Sequence, residues 1–352
     1  MRKATMDSSK DRLFGTGGKC FVVAEIGINH NGDMDLAHRM IDLAAQAGAD
    51  GIKLQNYRTE DFVADPNLMI SYTSQGKPVT ESQYDLFKRC ELDRARLKEL
   101  AAHSRESGML FSSTPTGPEG IEDLVETKAD FIKNGSDYLG HLPLIREMSD
   151  SGIAVVLSTG MARIGEIDEA IETFFAGAGH DLCVLHCVSA YPTPVEDLNM
   201  RRMVRLRDAF NVPVGFSDHS AGTQAATIAA ALGASMIEKH FTADHNLPGP
   251  DHWFSCEPGE LAEMVQSVAG VDAMLGSGTI VPGKAEEAAR KDYRLSCTAS
   301  RSLEEGHVLT STDIAYSRPA TGIEPKHADA IVGRRLARPL KLAEPIRYED
   351  LK

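Results

Sequence analysis

Short runs of β-branched and aliphatic residues alternate with longer amphipathic stretches along most of the chain. The runs are CFVVAEIGI, GIKLQ, MLFSST, FIKNG, IAVVLST, LCVLHCV, VPVGFS and SMIEKHF. The stretches between them, such as LAHRMIDLAAQAG, carry small-residue faces that suit packing on a sheet. Eight strand-then-helix units in about 250 residues predict an α/β fold of the (β/α)8 or TIM barrel type. A doubly wound open sheet is the alternative, but it usually has fewer strands, and no GxGxxG loop follows the first run.

Changes in composition and in the pattern of apolar residues divide the chain into four segments. The polar residues 1–18 lack the apolar core of a signal peptide and are predicted to form a leader before the first strand. The barrel is predicted over 19–275, and a Gly/Pro-bearing, then charged, linker over 276–292. From there short β-like pieces alternate with turns, which predicts a small β-rich domain over 293–352.

The composition is typical of a cytoplasmic globular enzyme. Of 352 residues, 42% are hydrophobic and 25% are charged, and no apolar run approaches the roughly 20 residues that span a bilayer. Six scattered cysteines without a CxxC pair indicate reduced thiols. The net charge of −14 argues against nucleic acid and anionic membrane as partners. This net charge is still compatible with a small anionic substrate that binds in a locally positive pocket.

A polar or ionisable group stands at the C-terminal end of every predicted barrel strand. In chain order these groups are Glu25, Lys53 with Gln55, Thr114, Lys133 with Ser136, Ser158, Ser189 with Tyr191, Ser217 with His219, and Glu238 with His240. In this fold, chemistry takes place where the strands end and the following loops begin. One such group has an ordinary explanation, for example a helix-capping serine, but a full set predicts an active site.

Lys53 and Lys133 directly follow apolar strand residues, and a buried lysine needs an anionic partner. One interpretation is an internal salt bridge with Glu25. The other is a cradle for a phosphate and a carboxylate, helped by the hydroxyls of Thr114, Ser136, Ser158 and Ser217. Because serine and threonine at loop starts often only cap helices, about half of these hydroxyls are expected to touch ligand.

His219 and His240 end adjacent predicted strands, in SDHS and EKHF. Two imidazoles so placed suit a divalent transition metal that keeps open positions for substrate. Asp251, on the long loop after the eighth strand, could reach the same place. The alternative is that each histidine only makes hydrogen bonds, which is the commoner role of a single strand-end histidine. His186 and Cys187 also end a strand and are interpreted as packing residues or as supports for the site.

A series of segments in this chain resembles the sialic acid synthase family, which includes the legionaminic and pseudaminic acid synthases. The matching segments, in order and spacing, are AEIGINHNG, GADGIKLQ, STP, KNGS, LSTGM, HCVSAYPTP, GFSDHS and EKHFTADHNLPGPDH. The tail SLEEGHVLTSTDIAYSRPATGI resembles the antifreeze-like (SAF) domain that is joined to the barrel in this family. The similarity extends from Phe21 to the C-terminus.

The resemblance implies a condensation of phosphoenolpyruvate with an N-acetylmannosamine-like sugar, in which manganese polarises the sugar aldehyde. It implies that His219 and His240 hold the metal and that Glu25 is the acid/base for the attacking water. Phosphoenolpyruvate would be surrounded by Lys53, Thr114, Lys133, Ser136, Ser158, Ser189 and Ser217. The sugar would be contacted by Gln55, Tyr138, Tyr191, Asp251 and Arg318. A carboxylate beside two lysines is expected to have a lowered pKa, which suits a base better than an acid.

Three positions depart from the family pattern. Ser189 stands where the neuraminic acid synthases often have Asn, and Thr116 replaces a frequent Phe. Tyr138 stands where a Glu is usual: the family has SGE at the place where this chain has SDY. That Glu resembles a ligand of sugar hydroxyls, and its replacement by an aromatic side chain favours a less polar acceptor, a di-N-acetylated 6-deoxy sugar.

Arg318 lies after the linker, in SRPATGI, and a guanidinium on a small domain needs a partner. One interpretation is a surface salt bridge within its own chain. The resemblance implies instead a homodimer with swapped second domains, in which Arg318 closes the partner's sugar site. Two rival functions remain: another phosphoenolpyruvate-dependent 3-deoxy-sugar acid synthase that uses a phosphosugar, and an ice- or glycan-binding protein. The second rests on the C-terminal domain alone, which lacks a flat run of repeated threonines.

Overall fold

The computed structural model describes residues 13–14 and 19–352. The strands of this part of the chain are β1 (Phe21–Gly27), β2 (Gly51–Asn56), β3 (Met69–Ser74), β4 (Lys77–Ser82), β5 (Leu110–Pro115), β6 (Phe131–Asn134), β7 (Ala154–Ser158), β8 (Leu182–Cys187), β9 (Val214–Asp218), β10 (Met236–His240), β11 (Ser296–Ala299) and β12 (Ile314–Ser317). The helices are α1 (Met34–Gln46), α2 (Thr59–Phe62), α3 (Gln83–Cys90), α4 (Arg94–Glu106), α5 (Pro118–Thr127), α6 (Leu142–Asp150), α7 (Ile164–Ala176), α8 (Arg201–Phe210), α9 (Gln224–Ala231), α10 (Pro258–Leu275) and α11 (Glu287–Tyr293).

Eight parallel strands close into a barrel in the order β1, β2, β5, β6, β7, β8, β9 and β10, and β10 pairs with β1. Each predicted apolar run forms one of these strands, so the (β/α)8 prediction is confirmed and the open sheet is excluded. The strands β3 and β4 form an antiparallel hairpin inserted between β2 and α3. No described helix has both the length and the apolar character that crossing a membrane requires.

Side-chain direction alternates along the barrel strands, so residues two apart share a face. In β1, Val22, Ala24 and Ile26 pack in the core between strands and helices, whereas Val23 packs in a separate apolar cluster inside the barrel. Glu25 follows Val23 on the same face. The same step of two leads from apolar to polar or ionisable side chains on four other strands, in the pairs Phe131–Lys133, Val156–Ser158, Leu185–Cys187 and Met236–Glu238. The barrel interior is therefore apolar toward the amino ends of its strands and polar at their carboxyl ends.

Phe14 closes the opposite end of the barrel. Its ring packs against Phe131, with centroids 5.9 Å apart, and is only 2% exposed. The backbone N–H of Leu13 donates to Oδ2 of Asp181, 2.5 Å away. The rest of the predicted leader, residues 1–12 and 15–18, lies outside the described residues. The two leader residues that are described thus belong to the packing of the barrel.

Packing divides the chain into two units, Met1–Leu275 and Gly276–Lys352. The second unit has its own core, which includes Cys297, Leu309 and Ile331, and β11 pairs with β12 in antiparallel register. The predicted linker, residues 276–292, is grouped with this unit, and α11 begins within it. The small β-containing domain predicted after the barrel is present.

Candidate active site

The carboxyl ends of the barrel strands surround a cavity of about 420 Å³. Its walls include the residues predicted to surround phosphoenolpyruvate: Lys53, Thr114, Lys133, Ser136, Ser158, Ser189 and Ser217. They also include the predicted acid/base, metal and sugar residues of the barrel: Glu25, His219, His240, Gln55, Tyr138, Tyr191 and Asp251. The parallel strands of the barrel thus bring side chains from distant parts of the sequence together in one cavity.

Two lysines form the cationic part of this cavity. Lys53 lies on β2 and Lys133 on β6, and both side chains are buried. Nζ of Lys53 lies 2.5 Å from Oε2 of Glu25 and donates to Oγ1 of Thr114, 3.2 Å away. Nζ of Lys133 donates to Oγ of Ser158 at 2.6 Å. The internal salt bridge considered for Lys53 thus exists, and it lies inside the cavity rather than apart from it.

Glu238, at the end of β10, is a second buried carboxylate of the cavity. It lies 3.9 Å from Nζ of Lys133 and accepts a hydrogen bond from Oγ of Ser217 at 3.1 Å. Burial alone would raise the pKa of Glu238, but Lys133 and Lys53 outweigh burial and lower it. Burial lowers the pKa of Lys133, whereas Glu238 and Glu25 outweigh burial at Lys53 and raise its pKa.

Glu25 has the opposite shift from the one predicted. Burial raises its pKa to about 7, because the loss of water outweighs the attraction of Lys53. The prediction of a lowered pKa was wrong, since it counted the lysines but not the complete burial of the carboxylate. Among the described residues no group donates a hydrogen bond to Oε1 of Glu25. A carboxyl group with a pKa near 7 is suited to take up and release a proton at neutral pH.

His219 and His240 lie side by side, with ring centroids 5.3 Å apart. Nδ1 of His219 lies 2.8 Å from the carbonyl oxygen of Val188, and Nε2 lies 3.4 Å from Oγ of Ser217. A backbone carbonyl that accepts a hydrogen bond from Nδ1–H leaves the Nε2 lone pair for a metal, which is the arrangement of many metal-bound histidines. Burial lowers the pKa of His240 well below its usual value and so keeps the ring neutral, as a metal ligand must be.

Asp251 stands beside these rings, with Oδ2 3.6 Å from Nδ1 of His240. Burial raises its pKa to about 6. Within the described part of the chain no three His, Cys, Asp or Glu side chains form a metal cluster. The two imidazoles are the side chains of this cavity that could hold a divalent metal.

Comparison with known proteins identifies the family to which these residues belong. The profile of the NeuB family matches residues 40–280, and that of the SAF domain matches residues 296–352. The chain belongs to the NeuB family. The resemblance to the sialic acid synthases and to their antifreeze-like domain is thereby confirmed.

Relatives with assigned names match most of the chain. The N,N'-diacetyllegionaminic acid synthase of Legionella pneumophila is 35% identical over 96% of each chain. The N-acetylneuraminate-9-phosphate synthase of Homo sapiens is 33% identical over 92% of this chain and 90% of that one. The crystal structure of an N-acetylneuraminic acid synthetase from Leptospira borgpetersenii, in complex with citrate, has a TM-score of 0.70 and 33% identity, covering 78% of this chain and 92% of that chain. The chain is an N-acetylneuraminate synthase-like enzyme.

Around the NeuB site, most of the predicted sugar residues of the barrel lie in segments that follow the strands. The ring of Tyr191 lies against His219, with centroids 4.1 Å apart. Tyr138 lies in the short helical turn after β6 and stacks on His141 at 6.1 Å between ring centroids. Gln55 is part of β2 itself. Tyr191 thus places an aromatic surface beside both candidate metal ligands.

Arg318 belongs to the second unit and is exposed. Its guanidinium carbon lies 5.2 Å from the centroid of the Tyr293 ring, in the same unit. Among the described residues no carboxylate lies within ion-pair distance of it. The salt bridge considered for Arg318 is therefore absent from the described part of the chain.

Two parts of the cavity were missed or undervalued in the sequence. Glu238 was named as a strand-end residue but was given no role in the site, and the step of two from Met236 could have assigned it to the cavity. Cys187 also faces the cavity, and its Sγ lies 3.8 Å from Nδ1 of His219, so it supports a candidate metal ligand, which is one of the two roles predicted for it. The second part is an apolar side of the cavity to which the insertion between β2 and α4 contributes, and for this side the sequence offered no clear signal.

Proposed function

We propose that the enzyme condenses phosphoenolpyruvate with an N-acetylmannosamine-like sugar, for which the preferred form is a 2,4-diacetamido-6-deoxy sugar. In this reaction carbon 3 of phosphoenolpyruvate bonds to the aldehyde carbon of the open-chain sugar. Water adds to carbon 2, and inorganic phosphate leaves with cleavage of its C–O bond. The observation that carries the proposal is the meeting of two buried lysines, a buried glutamate and two imidazoles at the carboxyl end of a NeuB barrel.

The lysines bind the anionic end of phosphoenolpyruvate. Lys53 and Lys133 provide fixed positive charge in a chain whose net charge is −14. The hydroxyls of Thr114 and Ser158 already accept hydrogen bonds from these lysines and so hold the ammonium groups in place. Fixed cations in a cavity shielded from water bind a trianion more strongly than the same charges on the surface.

Glu25 accepts the proton of the attacking water. Its pKa near 7 leaves an appreciable fraction ionised at neutral pH, and no described residue donates a hydrogen bond to its Oε1. Lys53 holds the other oxygen and fixes the orientation of the carboxylate. The proton that Glu25 accepts is available for the departing phosphate.

His219 and His240 are the residues that would hold a divalent metal, with manganese as the expected ion. When bound, such an ion supplies Lewis-acid polarisation of the sugar carbonyl. The fit rests on the chemistry of the donors, because Nδ1 of His219 faces the carbonyl oxygen of Val188, which leaves Nε2 as the atom that could bind a metal, and burial keeps the His240 ring neutral.

The preferred sugar is inferred from the acceptor side of the cavity. Tyr138 presents an aromatic face and one hydroxyl where a carboxylate is usual, which favours a sugar with fewer hydroxyls. The similarity to the N,N'-diacetyllegionaminic acid synthase of Legionella pneumophila agrees with this choice. A homodimer in which Arg318 reaches the partner's sugar site completes the proposal.

Phosphate release tests this function. The purified enzyme with Mn²⁺ and phosphoenolpyruvate is assayed against 2,4-diacetamido-2,4,6-trideoxymannose, N-acetylmannosamine, arabinose 5-phosphate and erythrose 4-phosphate. Sugar-dependent phosphate with either amino-sugar, and a higher kcat/KM for the diacetamido sugar, supports the proposal. Phosphoenolpyruvate labelled with ¹⁸O in its bridging position should deliver the label to phosphate, because the C–O bond breaks. Activity with the phosphosugars alone would contradict the proposed function and would indicate the rival 3-deoxy-sugar acid synthase.

A further inference from the structure

The cavity has an apolar side, and three side chains that come from outside the barrel strands contribute to it. Phe62 ends α2, Ile70 lies on β3, and Phe87 lies on α3. All three line the same cavity as Lys53 and Gln55. We refer to Phe62, Ile70 and Phe87 as the apolar wall.

The apolar wall is packed firmly before any ligand arrives. The rings of Phe62 and Phe87 lie 4.9 Å apart in an edge-to-face arrangement, and Tyr57 packs against both. The hydroxyl of Tyr57 donates to the backbone carbonyl of Phe87 at 3.0 Å, which gives this polar atom a partner within the protein. These rings belong to a small apolar cluster with Ile28, Leu86 and Cys90, of which Ile28 and Leu86 also line the cavity.

The hairpin that carries Ile70 is held in a defined register. Along β3, Met69, Ser71 and Thr73 are exposed, whereas Ile70, Tyr72 and Ser74 face inward. The two-residue turn Gln75–Gly76 has positive φ at both positions, 52° and 73°, as a type I′ turn requires. A slip of one residue would turn Ile70 to solvent, so this turn helps to keep it in the apolar wall.

The tip of the hairpin is tied to the loop that carries Asp251. The backbone N–H of Gly249 donates to Oγ of Ser74 at 3.0 Å. The Nε2 of Gln75 donates to the carbonyl oxygen of Asn246 at 2.8 Å. Hydrogen bonds thus join the element bearing Ile70 to the loop bearing a predicted sugar ligand.

From this we infer that the apolar wall is the subsite for the methyl-bearing substituents of the acceptor sugar and determines acceptor specificity. A 2,4-diacetamido-6-deoxy sugar has a methyl group at carbon 6 and an acetamido methyl at carbon 4, where N-acetylmannosamine has hydroxyls. A hydroxyl placed against these side chains loses its hydrogen bonds to water without replacement, whereas a methyl group gains contact. This inference rests on the proposed function and names the residues that choose its acceptor.

The size of the discrimination follows from the chemistry of such pockets. One methyl-sized group in an apolar pocket changes kcat/KM by roughly tenfold to two-hundredfold. The ratio of kcat/KM for 2,4-diacetamido-2,4,6-trideoxymannose to that for N-acetylmannosamine is therefore the quantity to measure. If the apolar wall only supported the fold, a change in it would lower kcat/KM for both sugars together and leave their ratio unchanged.

Ile70→Asn is the test variant, because it introduces a polar group into the wall while the aromatic rings stay in place. The ratio should fall at least about tenfold, with the KM for phosphoenolpyruvate unchanged. Ile70→Val should keep the wild-type ratio. The matched control is Leu68→Asn, two residues away, whose side chain is 49% exposed and outside the cavity. If Ile70→Asn does not fold, as judged by its thermal melt, Phe62→Tyr replaces it, with the same expectation of a lowered ratio.

The outcomes separate this inference from the proposed function. An unchanged ratio in the folded wall variant overturns the inference, even when the wild-type enzyme is an active synthase. A wild-type enzyme that releases no phosphate with either amino-sugar overturns the proposed function instead. A wild-type preference for N-acetylmannosamine contradicts both the choice of sugar and the role of the wall.

Discussion

Nζ of Lys53 lies 2.5 Å from Oε2 of Glu25, and the two side chains are only 5% and 1% exposed. The two residues face each other across neighbouring strands, because β1 and β2 pair in a register that sets Glu25 level with Lys53. Burial pushes the glutamate toward its neutral form, and the lysine opposes that change. The balance leaves a carboxyl group whose proton is easily gained or lost in a place where phosphoenolpyruvate would bring further negative charge.

Replacing Glu25 by Gln should therefore slow turnover without preventing binding. We expect kcat to fall at least about a hundredfold, the usual scale for removing general acid–base help, with nearly normal binding of phosphoenolpyruvate. In the wild-type enzyme kcat/KM should rise as the pH increases through about 7, because the ionised form accepts the proton. The variant should lack this limb of the pH profile. A variant with the wild-type rate would reduce Glu25 to a structural partner of Lys53.

Metal dependence should centre on His219 and His240. Chelation is expected to abolish turnover and Mn²⁺ to restore it, and His219→Ala and His240→Ala should each lose bound manganese by elemental analysis. The exposed His180 provides the control, since His180→Ala should keep its metal. Full activity in chelated, metal-free enzyme would show that the assignment is wrong.

Gly160 should be required for the close approach of two serine hydroxyls. A Cβ at this position would lie 2.7 Å from Oγ of Ser136 and would also displace Ser189, whereas now the Gly160 N–H donates to Ser136 at 2.9 Å. Both hydroxyls can move, so Gly160→Ala should fold, with the KM for phosphoenolpyruvate raised about tenfold, as expected when one or two hydrogen bonds are lost. Gly165→Ala, on α7 with open space around the added methyl, is the control. Equal KM values in both variants would argue against a role for these serines in binding.

Arg318 should act in the partner's site if the enzyme is a swapped dimer. Inactive Arg318→Ala and inactive Glu25→Gln are mixed under conditions that exchange subunits, which native mass spectrometry verifies. Activity should return, because one of the two composite sites in a heterodimer contains both wild-type residues. Exchange without any recovery would place Arg318 in its own chain's site or outside it, and the swapped dimer would be abandoned.

The sequence predicted the barrel and its strand-end residues for a physical reason. Period-two alternation and strand ends are local properties, and the parallel fold then brings Lys53, Lys133, His219 and His240 to one place regardless of their separation. The pKa of Glu25 could not be predicted in the same way, since its direction depends on burial by many side chains. The apolar wall was missed because Phe62, Ile70 and Phe87 come from an insertion whose orientation depends on the turn at Gln75 and the hydrogen bonds of its tip.

Because Phe14 is buried at the end of the barrel opposite the cavity, it should affect the stability of the enzyme and not its catalytic rate. Phe14→Ala should lower the free energy of unfolding by about 3–5 kcal/mol, the usual cost of emptying a site filled by a phenyl ring. It should leave kcat and KM unchanged, because the candidate active site lies beyond the intervening apolar layer. Chemical denaturation and steady-state kinetics measure the two effects, and a large change in KM would contradict their independence. Shortening the chain past residue 14 would thus yield a less heat-resistant catalyst with unaltered selectivity.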